Sequence, residues 1–438
     1  MLSNDENQLL TRVGPGTPCG ELLRRYWQPI AGARELTEEQ PKKRIKILGE
    51  ELVLYRDDNG GYGLVGERCS HRGTSLYYGF LEDGGIRCPY HGWLYDRTGR
   101  CLEQPFEPNP KFREQMLHPA YPVEKLGGLL FAYMGPQERK PLVPRWDILA
   151  WNNGHRAVIR QETLNCNWLQ AEENSADITH TYFLHIQTLR HRAHKQTAGN
   201  SGEFRGDPPL GWRPGASDQV GFGRPFAKYG FQPFEWGLLK SWVYEGEHSS
   251  EGWGHPLIFP NMLRISAQMH WRVPIDDHRT EIIIVHFRLS EDGREVEERE
   301  DPLVEYMAPQ VLAKGEYAMD TFFSHDKMAW ETQGSLFDRS KEHLGESDRG
   351  IILFRKMLKE QIEIVRQGGE PRGLVRDPEK NTCIELVGWQ NEGDLRTGSY
   401  WADGIARKRS RDEVFDERHE VFDVPYGAAR PRSGATGS

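Results

Sequence analysis

The chain has 438 residues, a formal net charge of −9, a hydrophobic content of 37% and a charged content of 28%. This length allows two or three domains with cores of their own, and the composition is that of an ordinary globular protein. The negative balance argues against nucleic acid as the main partner, because neutralising phosphates requires a basic face. No apolar run approaches the ~20 residues of a membrane span, so we expect no membrane association. The N-terminus MLSNDENQLL lacks the features of a signal peptide, and we expect a cytoplasmic protein.

The first 68 residues predict a helix followed by strands. The segment GPGTPCGELLRRYW, with Thr17 as the N-cap, predicts one amphipathic helix and its lead-in within residues 1–30. Residues 44–68 alternate as strands do, with turns between them. Residues 61–66 match the dinucleotide pattern G-x-G-x-x-G. They run into a strand and not into a helix, so the match does not indicate nucleotide binding.

Residues 69–93, CSHRGTSLYYGFLEDGGIRCPYHGW, carry two pairs of metal-binding side chains. Cys69 and His71 are separated by one residue, and Cys88 and His91 by two. A structural zinc site usually groups its cysteines and its histidines separately, whereas each short loop here carries one of each. The mixed pairing suits a [2Fe–2S] cluster in which one iron takes both cysteines and the other both histidines. A zinc site is the alternative.

The remaining chain predicts a linker and a second domain. Residues 94–135 predict further short strands, and Gly135 to Pro144 predict a linker. We therefore divide the chain into 1–145, with the N-terminal helix and a small all-β unit, and 146–438, which ends in a disordered tail. The second part predicts several elements in order: a strand at 155–163, a helix at 164–187, long loops at 188–235, strands between 238 and 289, and a mostly helical stretch at 301–368.

A second candidate metal site lies in the segment NCNWLQAEENSADITHTYFLH, residues 165–185. Asp177 and His180 share a face of a regular helix, whereas His185, five residues later, turns away from it. Both histidines can bind one ion only if the helix ends or distorts between them. Taken alone, two such histidines are more often surface groups at a helix end. A one-electron carrier upstream needs an acceptor, however, and iron held by two histidines and one carboxylate suits O₂ chemistry.

These motifs resemble those of a known family. Cys-x-His followed by Cys-x-x-His-Gly-Trp is the signature of Rieske iron–sulfur domains, and Asp-x-x-His-x-x-x-x-His resembles the catalytic motif of Rieske non-haem iron oxygenases. The blocks TRVGPGTPCGELLRRYWQPI, FPNMLR, HWRVP and QGSLFDRSKEHLGESDRGIILFR resemble the phthalate dioxygenase-like branch, which includes aryl O-demethylases. The resemblance implies an α+β fold, in which a small all-β Rieske [2Fe–2S] domain precedes a helix-grip-like antiparallel sheet covered by helices.

The resemblance also implies roles for particular residues. The cluster ligands would be Cys69, His71, Cys88 and His91. The mononuclear iron would be held by His180, His185 and Asp326, the last chosen over Asp320 and Glu331. Asp177 would bridge a metal histidine to a cluster histidine of a neighbouring subunit, with Asn174 as a weaker supporting candidate. Candidates for contact with a substrate carboxylate are Arg192, Lys195 and Arg205.

The implied activity is that of a terminal oxygenase in aromatic catabolism. It would use O₂ and electrons from NAD(P)H, relayed by a separate reductase either directly or through a ferredoxin. It would hydroxylate, dihydroxylate or O-demethylate an aromatic compound, expected to bear a carboxylate. The implied cofactors are a [2Fe–2S] cluster and a mononuclear Fe(II), and the implied assembly is a homotrimer or a stacked pair of trimers. The alternatives are a Rieske electron-transfer protein without a catalytic site and a zinc-stabilised binding protein.

Overall fold

The computed structural model describes residues 2–82, 84–188, 225–244, 255–265, 267–290, 293–296, 300–319, 321–386 and 420–423. The described residues combine helices with sheets that are almost wholly antiparallel, which confirms the expected α+β class. Among the helices of these ranges, none is both long and apolar enough to cross a membrane.

The N-terminus forms two short helices where the sequence predicts one. Helix α1 (Asn4–Thr11) begins at a capping box, in which Ser3 and Glu6 bond each other's backbone amides. Helix α2 (Pro18–Leu23) begins at Thr17, whose hydroxyl accepts a hydrogen bond from the Gly20 amide at 3.3 Å, as its N-cap role predicts. The turn residues from Gly14 to Gly16 separate the two helices. Both pack against the helix Arg349–Arg366 from the C-terminal half of the chain.

Three small antiparallel sheets follow. The first has the order β1 (Gln28–Gly32), β11 (Leu129–Ala132), β10 (Val123–Leu126). The second has the order β2 (Lys42–Ile47), β3 (Glu50–Arg56), β4 (Tyr62–Gly66), β9 (Ala120–Tyr121). The third has the order β5 (Phe80–Glu82), β6 (Gly85–Arg87), β7 (Leu94–Asp96), β8 (Cys101–Glu103). A short helix, α3 (Pro110–Glu114), follows the third sheet in sequence.

A nine-stranded sheet dominates the rest of the molecule. Its strand order is β19 (Val304–Tyr306), β12 (Gly154–Arg160), β18 (Arg279–Leu289), β17 (Gln268–Asp276), β16 (Met262–Ile265), β15 (His255–Ile258), β14 (Gly237–Tyr244), β13 (Phe226–Phe234), β20 (Glu420–Asp423). All neighbours pair antiparallel except β12 and β19, which are parallel. The longer helices described beyond residue 146 are α5 (Trp168–Ala176), α6 (Phe322–Glu331) and α7 (Arg349–Arg366), and the shorter α4 (Asp147–Ala150) contacts β18.

Two predictions for this part of the chain are wrong. Residues 226–234 were expected to be a loop but form β13. The strand pairs with β14 along its whole length despite the Gly and Pro that it contains. In the described part of 301–368, α-helix is confined to α6 and α7, with a short 3-10 helix at Glu346–Asp348. This stretch also contains β19 and turns, because pairing with β12 outweighs local preference there.

The large sheet buries both of its faces. On one face, Trp271 of β17 packs against Phe131 of β11 with ring centroids 6.0 Å apart, so the first small sheet lies over this side. On the other face, Ile282 and Ile284 of β18 form a buried cluster with residues of α5 and α6. The expected domain boundary at residues 145 and 146 stays a prediction.

Candidate metal centres

The two loops that carry the first four candidate ligands share one backbone scheme. One loop follows β4 and the other joins β6 to β7. In each loop the amide of the glycine four residues after the cysteine donates to the cysteine carbonyl, Gly73 to Cys69 at 2.8 Å and Gly92 to Cys88 at 3.1 Å. Both glycines have a φ of 76°, a conformation that L side chains rarely adopt. The loops therefore present their ligands alike, although the histidine offsets differ.

The cysteines of these loops lie inside and the histidines outside. Cys69 and Cys88 are buried, and burial together with the neighbouring Cys69 thiol raises the pKa of Cys88. The rings of His71 and His91 lie near the surface with centroids 4.6 Å apart. In the described structure, no three of these four side chains bring their ligand atoms within 4.8 Å of one another. An inner cysteine pair and an outer histidine pair fit the two irons of a Rieske cluster rather than one zinc ion.

Two neighbours of these loops were not predicted from the sequence. The Trp93 ring stacks on His71 with centroids 4.5 Å apart and planes 6° from parallel. The Tyr95 hydroxyl lies 3.3 Å from the Cys69 sulfur, where it can donate a hydrogen bond to a thiolate. Hydrogen bonds to the sulfurs are one means by which a protein sets the reduction potential of an iron–sulfur cluster.

The chain distorts between the two histidines of the second site, as the spacing requires if both are to bind one ion. Helix α5 ends at Ala176 with Asp177 as its C-cap, and residues Thr181–Gln187 then wind as a π-helix that begins next to His180. A π-helix bonds residue i to residue i+5 and has more residues per turn than an α-helix. This wider winding brings residues five apart towards the same side of the helix. The imidazoles of His180 and His185 therefore lie beside each other.

Asp326 on α6 completes this site. Its Oδ1 lies 3.4 Å from His185 Nε2 and 3.9 Å from His180 Nε2, and the three ligand atoms lie within 4.8 Å of one another. Asp326 Oδ1 and His180 Nδ1 are buried without hydrogen-bond partners. Burial raises the pKa of Asp326 to about 6. Two imidazoles and a carboxylate with unsatisfied atoms fit a divalent iron with open positions.

The other candidate carboxylates are placed differently. Glu331 accepts hydrogen bonds from the Asn165 amide at 2.6 Å and from Lys327 Nζ at 2.8 Å. It is therefore used in joining α6 to the chain before α5. Asp320 lies outside the described residues, as do the predicted substrate contacts Arg192, Lys195 and Arg205.

Asp177 stands beside the first histidine. Its Oδ2 lies 3.6 Å from His180 Nδ1, and its Oδ1 accepts hydrogen bonds from the Thr179 amide and hydroxyl at 2.8 and 2.9 Å. Burial alone would raise the pKa of Asp177, but the contacts with His180 and Thr179 outweigh it and lower the pKa. Asn174 contacts Asp177 through its backbone carbonyl at 3.0 Å.

His325 is a functional candidate that the sequence analysis missed. It is fully buried, its Nδ1 lies 3.3 Å from His185 Nδ1, and its Nε2 lies 3.2 Å from the Met319 carbonyl. A carbonyl only accepts, so Nε2 of His325 carries the proton and its Nδ1 accepts from His185. That hydrogen bond leaves His185 Nε2 without a proton and directed towards Asp326. Its position next to Asp326 in the sequence was the available signal.

Comparisons with known proteins show which families and relatives this chain is similar to. The Rieske [2Fe-2S] domain family matches residues 26–122, and the family described as LigXa C-terminal domain like matches residues 299–391. The 5,5'-dehydrodivanillate O-demethylase oxygenase subunit of Sphingobium sp. (strain NBRC 103272 / SYK-6) is 36% identical over 88% of this chain and 86% of its own length. The phenoxybenzoate dioxygenase subunit alpha of Ectopseudomonas oleovorans is 34% identical over 83% of this chain and 87% of its own length.

Two further comparisons extend the range of relatives. The tert-butanol monooxygenase / tert-amyl alcohol desaturase oxygenase subunit of Aquincola tertiaricarbonis is 32% identical over 97% of this chain and 91% of its own length. The solved terminal oxygenase of carbazole 1,9a-dioxygenase from Nocardioides aromaticivorans IC177 superposes with a TM-score of 0.54. It is 20% identical and covers 82% of this chain and 98% of its own, which supports a shared fold.

Proposed function

This chain belongs to the Rieske non-haem iron oxygenases, and from that premise we propose that it is a terminal oxygenase that O-demethylates an aromatic carboxylate. The observation that carries the proposal is the convergence of His180, His185 and Asp326 on one point, in a chain that also bears the Rieske loops. The O-demethylase relative supports the reaction type, and the phenoxybenzoate relative supports a carboxylate on the substrate.

The proposed reaction balances with one reductant. An aryl methyl ether, O₂, NADH and a proton give a phenol, formaldehyde, water and NAD⁺. Bound at these residues, the mononuclear iron supplies O₂ activation and the Rieske cluster supplies one-electron transfer. The NADH is oxidised by a separate reductase, which we propose as the electron-donating partner.

The protein's own residues have separate tasks in this proposal. Asp326 supplies the anionic ligand, and His325 holds the His185 ring in the tautomer that leaves Nε2 free for the metal. His71 is exposed and His91 is half-buried, so an electron partner can approach them from the surface. We propose that Asp177 couples His180 to a cluster of a neighbouring subunit in a homotrimer or a stacked pair of trimers. Asn174 would support it.

A panel of substrates tests the reaction type. Purified protein is incubated with Fe(II), NADH and a surrogate reductase. The panel contains benzoates, methoxybenzoates, neutral methoxyarenes and tert-butanol. Formaldehyde and a phenol formed only from methoxy compounds would support the proposal. A hydroxylated product from tert-butanol, without formaldehyde from any methoxyarene, would contradict it and favour the reaction class of the Aquincola relative.

Metal analysis separates the oxygenase from a simple electron carrier. An oxygenase should hold about three iron atoms per chain, and a Rieske carrier about two. The variant His180→Ala should lose turnover while its cluster spectrum stays unchanged. Unchanged turnover in that variant would remove the catalytic assignment.

A further inference from the structure

The large sheet places four basic side chains on one of its faces. We call this set the basic face: Lys240 of β14, His255 of β15, and His270 and Arg272 of β17. Lys240 is paired directly with His255, and His270 with Leu263, which in turn is paired with Leu257. Cross-strand partners and residues two apart on a strand share a face. The four side chains therefore point to the same side of the sheet.

The basic face contacts helices α5 and α6, which lie beside the second candidate metal site. The Lys240 ammonium donates to the Ser175 carbonyl of α5 at 2.6 Å, and the His270 ring stacks on Phe323 of α6 with centroids 6.0 Å apart. The Asp326 carboxylate acts electrostatically on both Lys240 and Arg272. The basic face and the proposed iron ligands thus border the same interior region.

The charges of this face are buried and incompletely compensated. Lys240 is 5% exposed and Arg272 3% exposed, and the Nε of Arg272 has no hydrogen-bond partner. The carboxylate nearest to Arg272 is Glu172, whose Oε2 lies 3.7 Å from that Nε, and neither Glu172 oxygen has a hydrogen-bond partner. A buried charge is normally paired and hydrogen-bonded, because leaving water is costly.

Protonation increases this imbalance. Burial raises the pKa of Glu172 to about 8, so the carboxyl nearest to Arg272 is mostly uncharged at pH 7. Burial lowers the pKa of Lys240 to about 8, which still leaves its ammonium mostly protonated at that pH. The other carboxylates that act on these cations are Asp177 and Asp326, and both lie at the metal site. Two interior cations therefore face a region in which an anion would be stabilised.

We propose that Lys240 and Arg272 bind the carboxylate of the aromatic substrate. Arginine and lysine suit a carboxylate because each donates charge-assisted hydrogen bonds, and arginine can donate two in parallel. The buried apolar residues Leu257 and Leu263 lie on the same face, so the surroundings of the two cations are partly apolar. This assignment deepens the proposed function and rests on it. It names residues of the sheet in place of the loop candidates predicted from the sequence.

The test measures binding and not turnover. Benzoate and 3-methoxybenzoate, each beside its methyl ester, are titrated calorimetrically into the full-length, Fe(II)-loaded protein without O₂. The wild type should bind each acid at least about tenfold more tightly than its ester, because one charge-assisted hydrogen bond accounts for about ten- to a hundredfold in affinity. Lys240→Met and Arg272→Met should each weaken acid binding by a similar factor and change ester binding less than about threefold.

Arg264→Met is the matched control. Arg264 is also 3% exposed and lies on β16, but it is paired with Met269 and points to the opposite face, where it bonds Asp147. Its loss should leave the acid-to-ester ratio unchanged. Arg272→Lys, which keeps the positive charge but not the two parallel donors, should restore part of the acid affinity that Arg272→Met loses.

Three results would overturn the assignment. They are equal wild-type affinity for acids and esters, no measurable binding of either acid, and acid affinity in folded Lys240→Met and Arg272→Met within about threefold of the wild type. The first comparison needs no variant, so a failure of the variants to fold does not remove the test. Demethylation of neutral methoxyarenes without an acid preference would retain the proposed O-demethylation, but it would reject both the substrate carboxylate and the basic face as its binding site. Acid-selective binding without turnover of any methoxy compound would reject the proposed function and retain the basic face as a carboxylate site.

Discussion

Replacing Asp326 by asparagine should make the protein more stable when the mononuclear iron is absent. Burial raises the pKa of this carboxyl from its ordinary 3.8 to about 6, so the folded state holds the proton more tightly than the unfolded state. A raised carboxyl pKa means that stability is lost as the pH rises from about 4 to 6 and then stays level. At neutral pH the charged Asp326 therefore costs folding free energy, which Asp326→Asn removes.

The size of the effect follows from the pKa difference. At 1.36 kcal/mol for each pKa unit, the gain in the free energy of unfolding is about 3 kcal/mol at pH 7 and about 1.5 kcal/mol at pH 5. Bound Fe(II) should make the wild type the more stable of the two proteins, because a ligand that binds only the folded state stabilises it. Fe(II) should then raise the unfolding midpoint of the wild type and not that of Asp326→Asn.

Urea unfolding at the two pH values measures this gain. The cluster absorbance is followed in the same samples, so that proteins are compared only where the Rieske centre is intact. Asp338→Asn is the control. Bonds to Ser340 and Lys341 lower the pKa of Asp338 to about 2, so its replacement should give no gain. An Asp326→Asn variant that is no more stable than the wild type at pH 7, or whose gain is equal at both pH values, would refute the reasoning.

Three further predictions concern the groups around the two centres. His325→Phe removes the acceptor for His185 and should weaken Fe(II) binding about 10- to 100-fold with an unchanged Rieske spectrum, as measured by metal titration; unaltered affinity would contradict the positioning role. Tyr95→Phe removes the hydroxyl beside Cys69 and should lower the cluster potential by on the order of 50 mV in a redox titration, because a hydrogen bond to sulfur favours the reduced cluster. Gly73→Ala introduces a side chain at a φ of 76° with nothing within 4 Å of the new carbon, so backbone strain of about 1–2 kcal/mol acts alone. Its cluster content, read from visible absorbance and iron analysis, should fall further than that of Gly73→Asn, and equal content in the two variants would count against strain as the cause.

Local patterns in the sequence determined much of this protein. The Rieske spacing lies within two short loops, whose conformation depends on a glycine four residues after each cysteine, so the letters alone indicate the cofactor. The Thr17 cap and most central strands were also predicted, because capping and alternation act over a few residues. The α+β class and the family followed from the same motifs.

Tertiary structure decided what depends on distant residues. The spacing of His180 and His185 required a distortion, but only packing selects the π-helix that supplies it. Contact between His185 and α6 joins residues 140 positions apart, which no local pattern encodes, and the role of His325 depends on that contact. The basic face arises from strand register, because a shift of one residue would turn Lys240 and Arg272 to the other side of the sheet. Spacing along the chain thus specifies local loops, whereas pairing and packing determine which distant side chains meet.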